Sequence, residues 1–98
     1  MSVPVVYQEE AEDDIDAAYA WYENQSVGLG ERFLEALHEV VERIQDNPRL
    51  YGLFRRDIRA ALLGRFPYVV YYRDRGPDVL VVAVQHSSRS TRSWRGRI

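Results

Sequence analysis

The sequence predicts an α+β fold: an N-terminal strand, an antiparallel two-helix hairpin and then a three-stranded antiparallel meander. Apolar residues alternate in the first few positions, follow a helical period through two segments, and return in β-branched and aromatic runs separated by turn residues. With 98 residues there is room for one hydrophobic core. We therefore expect a single domain over residues 1–98, with 87–98 as a basic tail.

The first strand and the first helix are predicted within the first 25 residues. Val3, Val5 and Tyr7 alternate with their neighbours, and Pro4 confines this strand to an edge or to its first residues. From Glu9 to about Asn24 the spacing becomes helical, with one apolar stripe formed by Ala11, Ile15, Ala18, Tyr19 and Tyr22. The acids that open this helix are stabilised by its dipole, each by roughly 0.3–1 kcal/mol.

A second helix follows after a short break. Ser26, Gly28 and Gly30 interrupt the period, which resumes at Phe33 and continues through Leu37, Val40, Val41 and Ile44 until Asn47-Pro48 ends it. Because the connection is short, the helices should lie antiparallel and turn their apolar stripes towards a common surface. That surface is expected to be the sheet.

Three strands are predicted in the second half. After a loop containing Tyr51 and Gly52, β-prone segments cover 56–63, 66–73 and 79–86. Gly64 and the Arg75-Gly76-Pro77 sequence separate them as turns. The three strands should form a meander in a mostly antiparallel sheet, covered on one face by the helices.

The charges are divided between the two halves. Through Pro48 the chain has twelve acids and two arginines, whereas from Arg49 onward it has eleven arginines and three aspartates. Every basic residue is arginine, which contacts phosphate and carboxylate through a planar fork. The basic half therefore predicts an anionic partner, nucleic acid or an acidic protein segment. Mutual neutralisation of the two halves within the domain is the alternative.

Several classes of protein are disfavoured by what the sequence lacks. It has no cysteine, no apolar stretch long enough for a membrane helix, and no basic leader before an apolar segment, so a cytoplasmic protein is expected. It has no phosphate-binding glycine loop with its lysine, no nucleophile elbow and no zinc-binding pair of histidines. No cofactor and no metal are expected.

His86 is the first candidate for chemistry, because it ends the last predicted strand just before Arg89. An imidazole titrates near neutrality and can transfer protons, and neighbouring arginines can stabilise charge on a phosphate. Metal-free RNA cleavage needs little more, because the RNA 2′-hydroxyl is the nucleophile. The candidate catalytic set is His86 and Arg89 with Arg59 or Arg65. A strand-end histidine hydrogen-bonded to the backbone is the alternative.

The tail is a second candidate site. Its arginines and its tryptophan could bind nucleic acid or a target protein, with the tryptophan stacking on bases. The residues concerned are Arg92, Trp94, Arg95 and Arg97. A disordered tail anchored by Trp94 is the alternative.

Several short sequences stand in a fixed order along nearly the whole chain. They include AYAWYE at 18–23, GLGERFL at 28–34, RFPYVVYY at 65–72, and His86-x-x-Arg89 with Trp94 and Arg97 downstream. In this order they resemble the RelE/ParE toxin superfamily, especially its plasmid-stabilisation members. The resemblance implies a RelE/ParE-like β-α-α-β-β-β toxin and a cognate antitoxin encoded in the same operon.

The resemblance also implies one of two activities. RelE-like members cut messenger RNA on the ribosome, whereas ParE-like members inhibit DNA gyrase without an established hydrolytic role. His86 matches the strand-end histidine of some nuclease members, and Trp94 is the nearest counterpart of their C-terminal aromatic residue. However, their central arginine falls at about Val69, and no lysine pair precedes it. A non-toxic module that binds the antitoxin and regulates the operon, and a general RNA-binding domain, are further alternatives.

Overall fold

The computed structural model describes residues 2–98, which form five strands, two helices and two short 3-10 turns. The strands are β1 (Val5–Tyr7), β2 (Leu53–Arg55), β3 (Ile58–Leu62), β4 (Tyr68–Asp74) and β5 (Val79–His86); the helices are α1 (Glu9–Gln25) and α2 (Leu29–Asp46); and the turns are Thr91–Ser93 and Arg95–Arg97. The predicted α+β architecture is confirmed.

The strands form one mixed sheet in the order β1-β5-β4-β3-β2. The antiparallel meander of β3, β4 and β5 is the predicted one. β1 pairs in parallel with β5, with Val5 opposite Val79 and Tyr7 opposite Val81. A parallel pair needs a long crossover, and the helical hairpin is part of the chain that connects these two strands.

The prediction of a loop immediately before residue 56 is wrong, because these residues form β2. Leu53 pairs with Arg59 and Arg55 pairs with Ile58, so Phe54 is a bulge on an edge strand. All three residues of β2 are exposed. The usual alternation of buried and exposed residues is therefore absent, and pairing with β3 is what makes this segment a strand.

The connection between the helices is held by a carboxylate. α2 begins at Leu29, four residues before the apolar period resumes at Phe33. The residue that precedes the helix, Gly28, has a left-handed backbone conformation with φ 87°. Glu23 of α1 accepts hydrogen bonds from the backbone N–H of Gly28 at 2.9 Å and of Gly30 at 3.0 Å. These N–H groups at the start of α2 would otherwise lack partners, so Glu23 acts as a cap supplied by the neighbouring helix.

Gly30 allows the two helices to approach closely. A Cβ atom at this position would lie 2.9 Å from the Tyr19 ring and from the Glu23 carboxylate. The absence of a side chain at Gly30 therefore makes room for the cap.

The two faces of the sheet are covered differently. On the helix face, the apolar stripes of α1 and α2 pack on Val70, Tyr72, Val79, Val81 and Val84 to form the main core. The other face, which we call the open face, carries a smaller buried cluster formed by Ile58, Tyr71, Val82, Ala83 and Trp94. The helices thus cover one face, and the C-terminal tail covers part of the other.

Side chains from the sheet hold the loop between α2 and β2. The Tyr72 hydroxyl donates to the carbonyl of Pro48 at 2.7 Å, and Arg59 Nη1 donates to the carbonyl of Tyr51 at 2.7 Å. Burial raises the pKa of Tyr72 to about 12, so the phenol keeps the proton that it donates at neutral pH. Arg59 is thus used to stabilise the loop.

Removal of the Glu23 cap should destabilise the hairpin. Glu23→Ala leaves the two N–H groups of Gly28 and Gly30 without their acceptor, and we expect the free energy of unfolding to fall by about 1–2 kcal/mol, as for other lost caps. Urea unfolding followed by circular dichroism measures it. Glu39→Ala, at an exposed position of α2, is the matched control. Equal unfolding midpoints for the two variants would contradict this role of Glu23.

Candidate functional site

A bulge in β5 determines which way His86 faces. Tyr72 pairs with Val81 and Tyr71 pairs with Ala83, so Val82 is an extra residue on β5. The bulge reverses the alternation of side chains: Val79 and Val81 before it, and Val84 after it, all join the main core. By the same alternation His86 lies on the helix face, where its ring meets Tyr68 edge to face with centroids 5.4 Å apart.

A cleft lies beside His86, between α1 and the ends of β4 and β5. It has a volume of about 270 Å³ and adjoins a second space of about 400 Å³ next to Pro67. Trp21, Tyr68 and His86 line both spaces, and Arg89 lines the first. Trp21 is 57% exposed, which is unusual for the largest aromatic side chain. The cleft therefore combines aromatic walls with a cationic side chain.

Ser88 fixes the His86 ring. His86 Nδ1 accepts from the Ser88 backbone N–H at 3.1 Å and lies 2.7 Å from the Ser88 hydroxyl. Because Nδ1 accepts a hydrogen bond, a neutral ring carries its proton on Nε2. In this tautomer, Nε2–H is a hydrogen-bond donor. The alternative of a strand-end histidine hydrogen-bonded to the backbone also describes this ring.

Arg89 is positioned by a buried amide. Its Nη1 donates to Gln85 Oε1 at 3.3 Å, and Gln85 is a buried residue of β5. Burial raises the pKa of the neighbouring Tyr68 phenol, while the positive charge of Arg89 opposes that rise. Tyr68 therefore stays neutral, and it contributes an aromatic surface to the cleft.

The other two arginines of the candidate catalytic set lie elsewhere. Arg59 belongs to β3 and donates to the Tyr51 carbonyl. Arg65 is exposed in the turn between β3 and β4, with a left-handed φ of 68°. Neither lines the cleft. Of the four residues expected to carry catalysis, the structure brings together His86 and Arg89.

The tail is folded, and its tryptophan faces away from the cleft. Trp94 is buried on the open face, with its ring centroid 4.2 Å from that of Tyr71. It therefore anchors the tail, as one alternative expected. That alternative also expected disorder, which is wrong, because the two 3-10 turns give the chain around Trp94 a defined path. Arg92 and Arg95 are exposed on either side of it. A base could not stack on Trp94 without displacing the tail.

Arg97 is committed to an ion pair. Its Nη1 and Nη2 donate to the two oxygens of Asp14 at 2.6 and 3.1 Å, and both side chains are largely buried. The hydrogen bond with Asp14 raises the pKa of Arg97, so the guanidinium stays charged. Arg97 also donates to the Val82 carbonyl at 3.2 Å, and Asp14 accepts from the Val84 N–H at 3.0 Å.

Three residues of this region were not singled out by the sequence analysis as functional. Trp21 and Tyr68 were assigned to the first helix and a strand, and Asp14 to the acids at the start of that helix. The sequence did contain a signal for Trp21, because this large aromatic residue does not belong to the apolar stripe of the first helix, although its neighbour Tyr22 does. Asp14 offered none, since five other acids surround it between Glu9 and Asp16.

The whole arrangement is similar to solved structures of toxin–antitoxin systems. A chain of a chromosomal ParDE system from P. aeruginosa has 19% sequence identity and a TM-score of 0.62, over 87% of this chain and 96% of that chain. A chain of the RelBE2 toxin–antitoxin complex from Mycobacterium tuberculosis has 22% identity and a TM-score of 0.62, over 88% and 99%. At these identities the similarity defines the fold, which is RelE/ParE-like.

The sequence itself identifies the family. The family model described as the ParE toxin of the type II toxin–antitoxin system parDE matches residues 5–91. The chain therefore belongs to the ParE toxin family of type II toxin–antitoxin systems, and the resemblance to the RelE/ParE superfamily is confirmed. No curated protein matches the sequence significantly.

Two further properties of the described residues bear on the type of site. Neither helix within residues 2–98 is long and apolar enough to cross a membrane. In the same part of the chain, no three histidine, aspartate or glutamate side chains are grouped so that they could hold a metal ion.

The Asp14–Arg97 pair should stabilise the fold strongly. Asp14→Ala leaves a largely buried guanidinium without its counter-ion and the Val84 N–H without its acceptor, so the free energy of unfolding should fall by about 3 kcal/mol. Chemical denaturation measures this, and Asp16→Ala, at an exposed acid of the same helix, should change it by less than about 0.5 kcal/mol. If Arg97→Ala and Asp14→Ala had additive effects in the double variant, the two residues would not be coupled.

Proposed function

We propose that this chain is a growth-inhibiting toxin of the cytoplasm that binds and inhibits DNA gyrase, and that an antitoxin encoded in the same operon neutralises it. Membership of the ParE toxin family supports the toxin role. Inhibition of gyrase is the activity that the resemblance implies for ParE-like members. Maintenance of a plasmid would follow if the pair is plasmid-borne, since loss of the operon then leaves the toxin without its antitoxin.

The observation that carries the proposal is how three of the predicted catalytic and binding residues are used. Arg97 neutralises Asp14, Arg59 holds a loop carbonyl, and Trp94 is part of the open-face cluster. Cleavage of RNA needs proton transfer, positive charge and base stacking at a single place. Since these three residues stabilise the fold, the arrangement favours a toxin that acts by binding.

The cleft has the composition of a binding surface. Tryptophan, tyrosine and arginine are the residues most enriched among those that dominate binding energy. Trp21, Tyr68 and Arg89 occur together around the cleft, and Trp21 is exposed enough to be covered by a partner. We therefore propose this cleft as the contact with the target.

Ribosome-dependent cleavage of messenger RNA is the second candidate, and the His86 geometry favours it. The ring is held by Ser88 in the same cleft as Arg89. Such a pair could move a proton and stabilise a phosphate while the 2′-hydroxyl attacks. This activity would rest on His86 and Arg89 alone among the predicted residues.

His86 distinguishes the two mechanisms. His86→Ala removes proton transfer, so a nuclease should lose about 10²–10⁴-fold in cleavage rate. A gyrase inhibitor should keep its potency within roughly tenfold, because it loses the contacts of one side chain. Purified protein would be assayed for inhibition of gyrase supercoiling and for cleavage of messenger RNA on ribosomes.

Two variants complete this experiment. His38→Ala, at the exposed histidine of α2, controls for loss of a histidine outside the cleft. Trp21→Ala should weaken gyrase inhibition by about tenfold or more if the cleft is the contact. Normal supercoiling at saturating toxin would remove the gyrase mechanism. A folded protein that binds its antitoxin yet arrests no growth would be a non-toxic binding module.

A further inference from the structure

The cleft beside His86 and the space that adjoins it differ in chemical character. They share three aromatic side chains, which are Trp21, Tyr68 and His86. The adjoining space, which we call the aromatic space, is completed by Tyr22 and Pro67, whereas the cleft also contains the polar groups of Gln85 and Arg89. Their volumes of about 270 and 400 Å³ are close to those of small-ligand sites, roughly 300–1,000 Å³. A ligand that fills both needs a flat apolar part at one end and a polar part at the other.

Two alanines of α1 make room for a flat ring. Ala17 and Ala18 line the cleft one helical turn before Trp21, on the same side of the helix. Larger side chains at these positions would fill the gap between α1 and the end of β5. Because Trp21 is 57% exposed, much of its ring is available for stacking. Bases stack on tryptophan and tyrosine through their π-faces, so a base suits this slot.

Arg89 gives the cleft a positive charge that is not neutralised. Its Nη1 donates to Gln85 Oε1 at 3.3 Å, and no ion pair within residues 2–98 involves it. Asp14 also lines the cleft, but Arg97 balances its charge. The remaining donors of a guanidinium form a planar fork that matches the oxygens of a phosphate. The polar end of the ligand should therefore be an anion.

The charge around the cleft limits the length of that anion. α1, which forms one wall of the cleft, carries five exposed acids in its first two turns: Glu9, Glu10, Glu12, Asp13 and Asp16. A single strand of nucleic acid is bound in a positively charged groove that follows its backbone, and these acids would repel such a strand along the helix. A single phosphate needs Arg89 alone. A free mononucleotide therefore suits the site better than RNA or DNA.

We propose that the cleft and the aromatic space together bind a free purine nucleoside monophosphate, with its base against Trp21 and Tyr68 and its phosphate on Arg89. The same cleft is the proposed contact with gyrase, so nucleotide and target should exclude each other. That exclusion rests on the proposed function, whereas the binding of the nucleotide does not. Toxin activity would then respond to the concentration of a small metabolite.

Trp21 provides a direct signal for the test. The chain has two tryptophans, and the other, Trp94, is buried away from the cleft. The purified chain would be titrated with AMP, with adenosine, which lacks the phosphate, and with ribose 5-phosphate, which lacks the base. Tryptophan fluorescence and calorimetry would follow binding. We expect saturable binding of AMP with Kd below about 1 mM, and binding of each fragment at least about tenfold weaker.

Two variants separate the two ends of the ligand. Arg89→Gln should weaken AMP binding by about tenfold or more, so that AMP binds no better than adenosine, because the phosphate has lost its partner. Trp21→Ala should weaken both AMP and adenosine but leave ribose 5-phosphate unchanged, because the base has lost its stacking surface. Both positions are exposed, so the fold should be retained, and urea unfolding verifies it. Arg43→Gln, at an exposed position of α2 that does not line the cleft, should bind AMP normally.

Three results would overturn the proposal. Absence of saturable AMP binding would remove the site. Adenosine binding as tightly as AMP to the unaltered chain, or an equal loss in Arg43→Gln, would remove Arg89 as the partner of the phosphate. Binding of a 5′-phosphorylated adenylate pentamer more than about tenfold tighter than AMP would assign the site to a nucleic acid strand.

The exclusion of the target is measured separately. Binding of the chain to purified gyrase would be followed without ATP, in the presence and absence of saturating AMP, and we expect AMP to displace gyrase. Gyrase binding that AMP leaves unchanged would contradict the exclusion and place the target contact outside the cleft. If the chain binds AMP as described but neither binds gyrase nor inhibits supercoiling, the proposed function fails while the nucleotide site stands.

Discussion

A single carboxylate connects the parts of this molecule that secondary structure alone would leave separate. Asp14 of α1 accepts the Val84 N–H on the free edge of β5 and pairs with Arg97 near the C-terminus. The free edge is thereby closed, the first helix is tied to the sheet, and the tail is drawn across its end. Because the tail is fixed, Trp94 can cover part of the open face. Because β5 is fixed, His86 stands beside α1 and completes the cleft.

The sheet separates two surfaces with different physical character. The helix face is closed by apolar stripes from two helices, and at the end of β5 it opens into the cleft of Trp21, Tyr68 and His86. Among the described residues, the tail alone covers the open face, so Phe54 and Leu62 remain in contact with solvent. The proposed contact with the target thus lies on the helix face.

The folded structure shows what the arginines of the basic half contact. The arginine-rich half suggested a surface for an anionic partner, yet several of its members have internal roles. Arg97 neutralises an acid of the first helix, Arg59 holds a loop, and Arg73 and Arg75 pair with Asp57 and Asp78. Arg55 and Arg56 are exposed, and neither joins an ion pair within residues 2–98. The Asp14–Arg97 pair is therefore a place where the two halves neutralise each other, whereas Arg73 and Arg75 pair with acids of their own half.

The order of elements could be predicted from the sequence alone, because apolar periodicity and turn residues are local properties. Both helices and the β3–β5 meander lie close to where the pattern predicts them. It also indicated His86 and Arg89, which belong to one short segment. The folded arrangement was needed to establish that β2 is a strand, that Val82 is a bulge which turns His86 towards Trp21, and that Arg97 and Trp94 belong to the fold. These features depend on pairings between residues far apart in the chain, such as Asp14 with Arg97, and a local pattern carries no information about which distant partner a side chain meets.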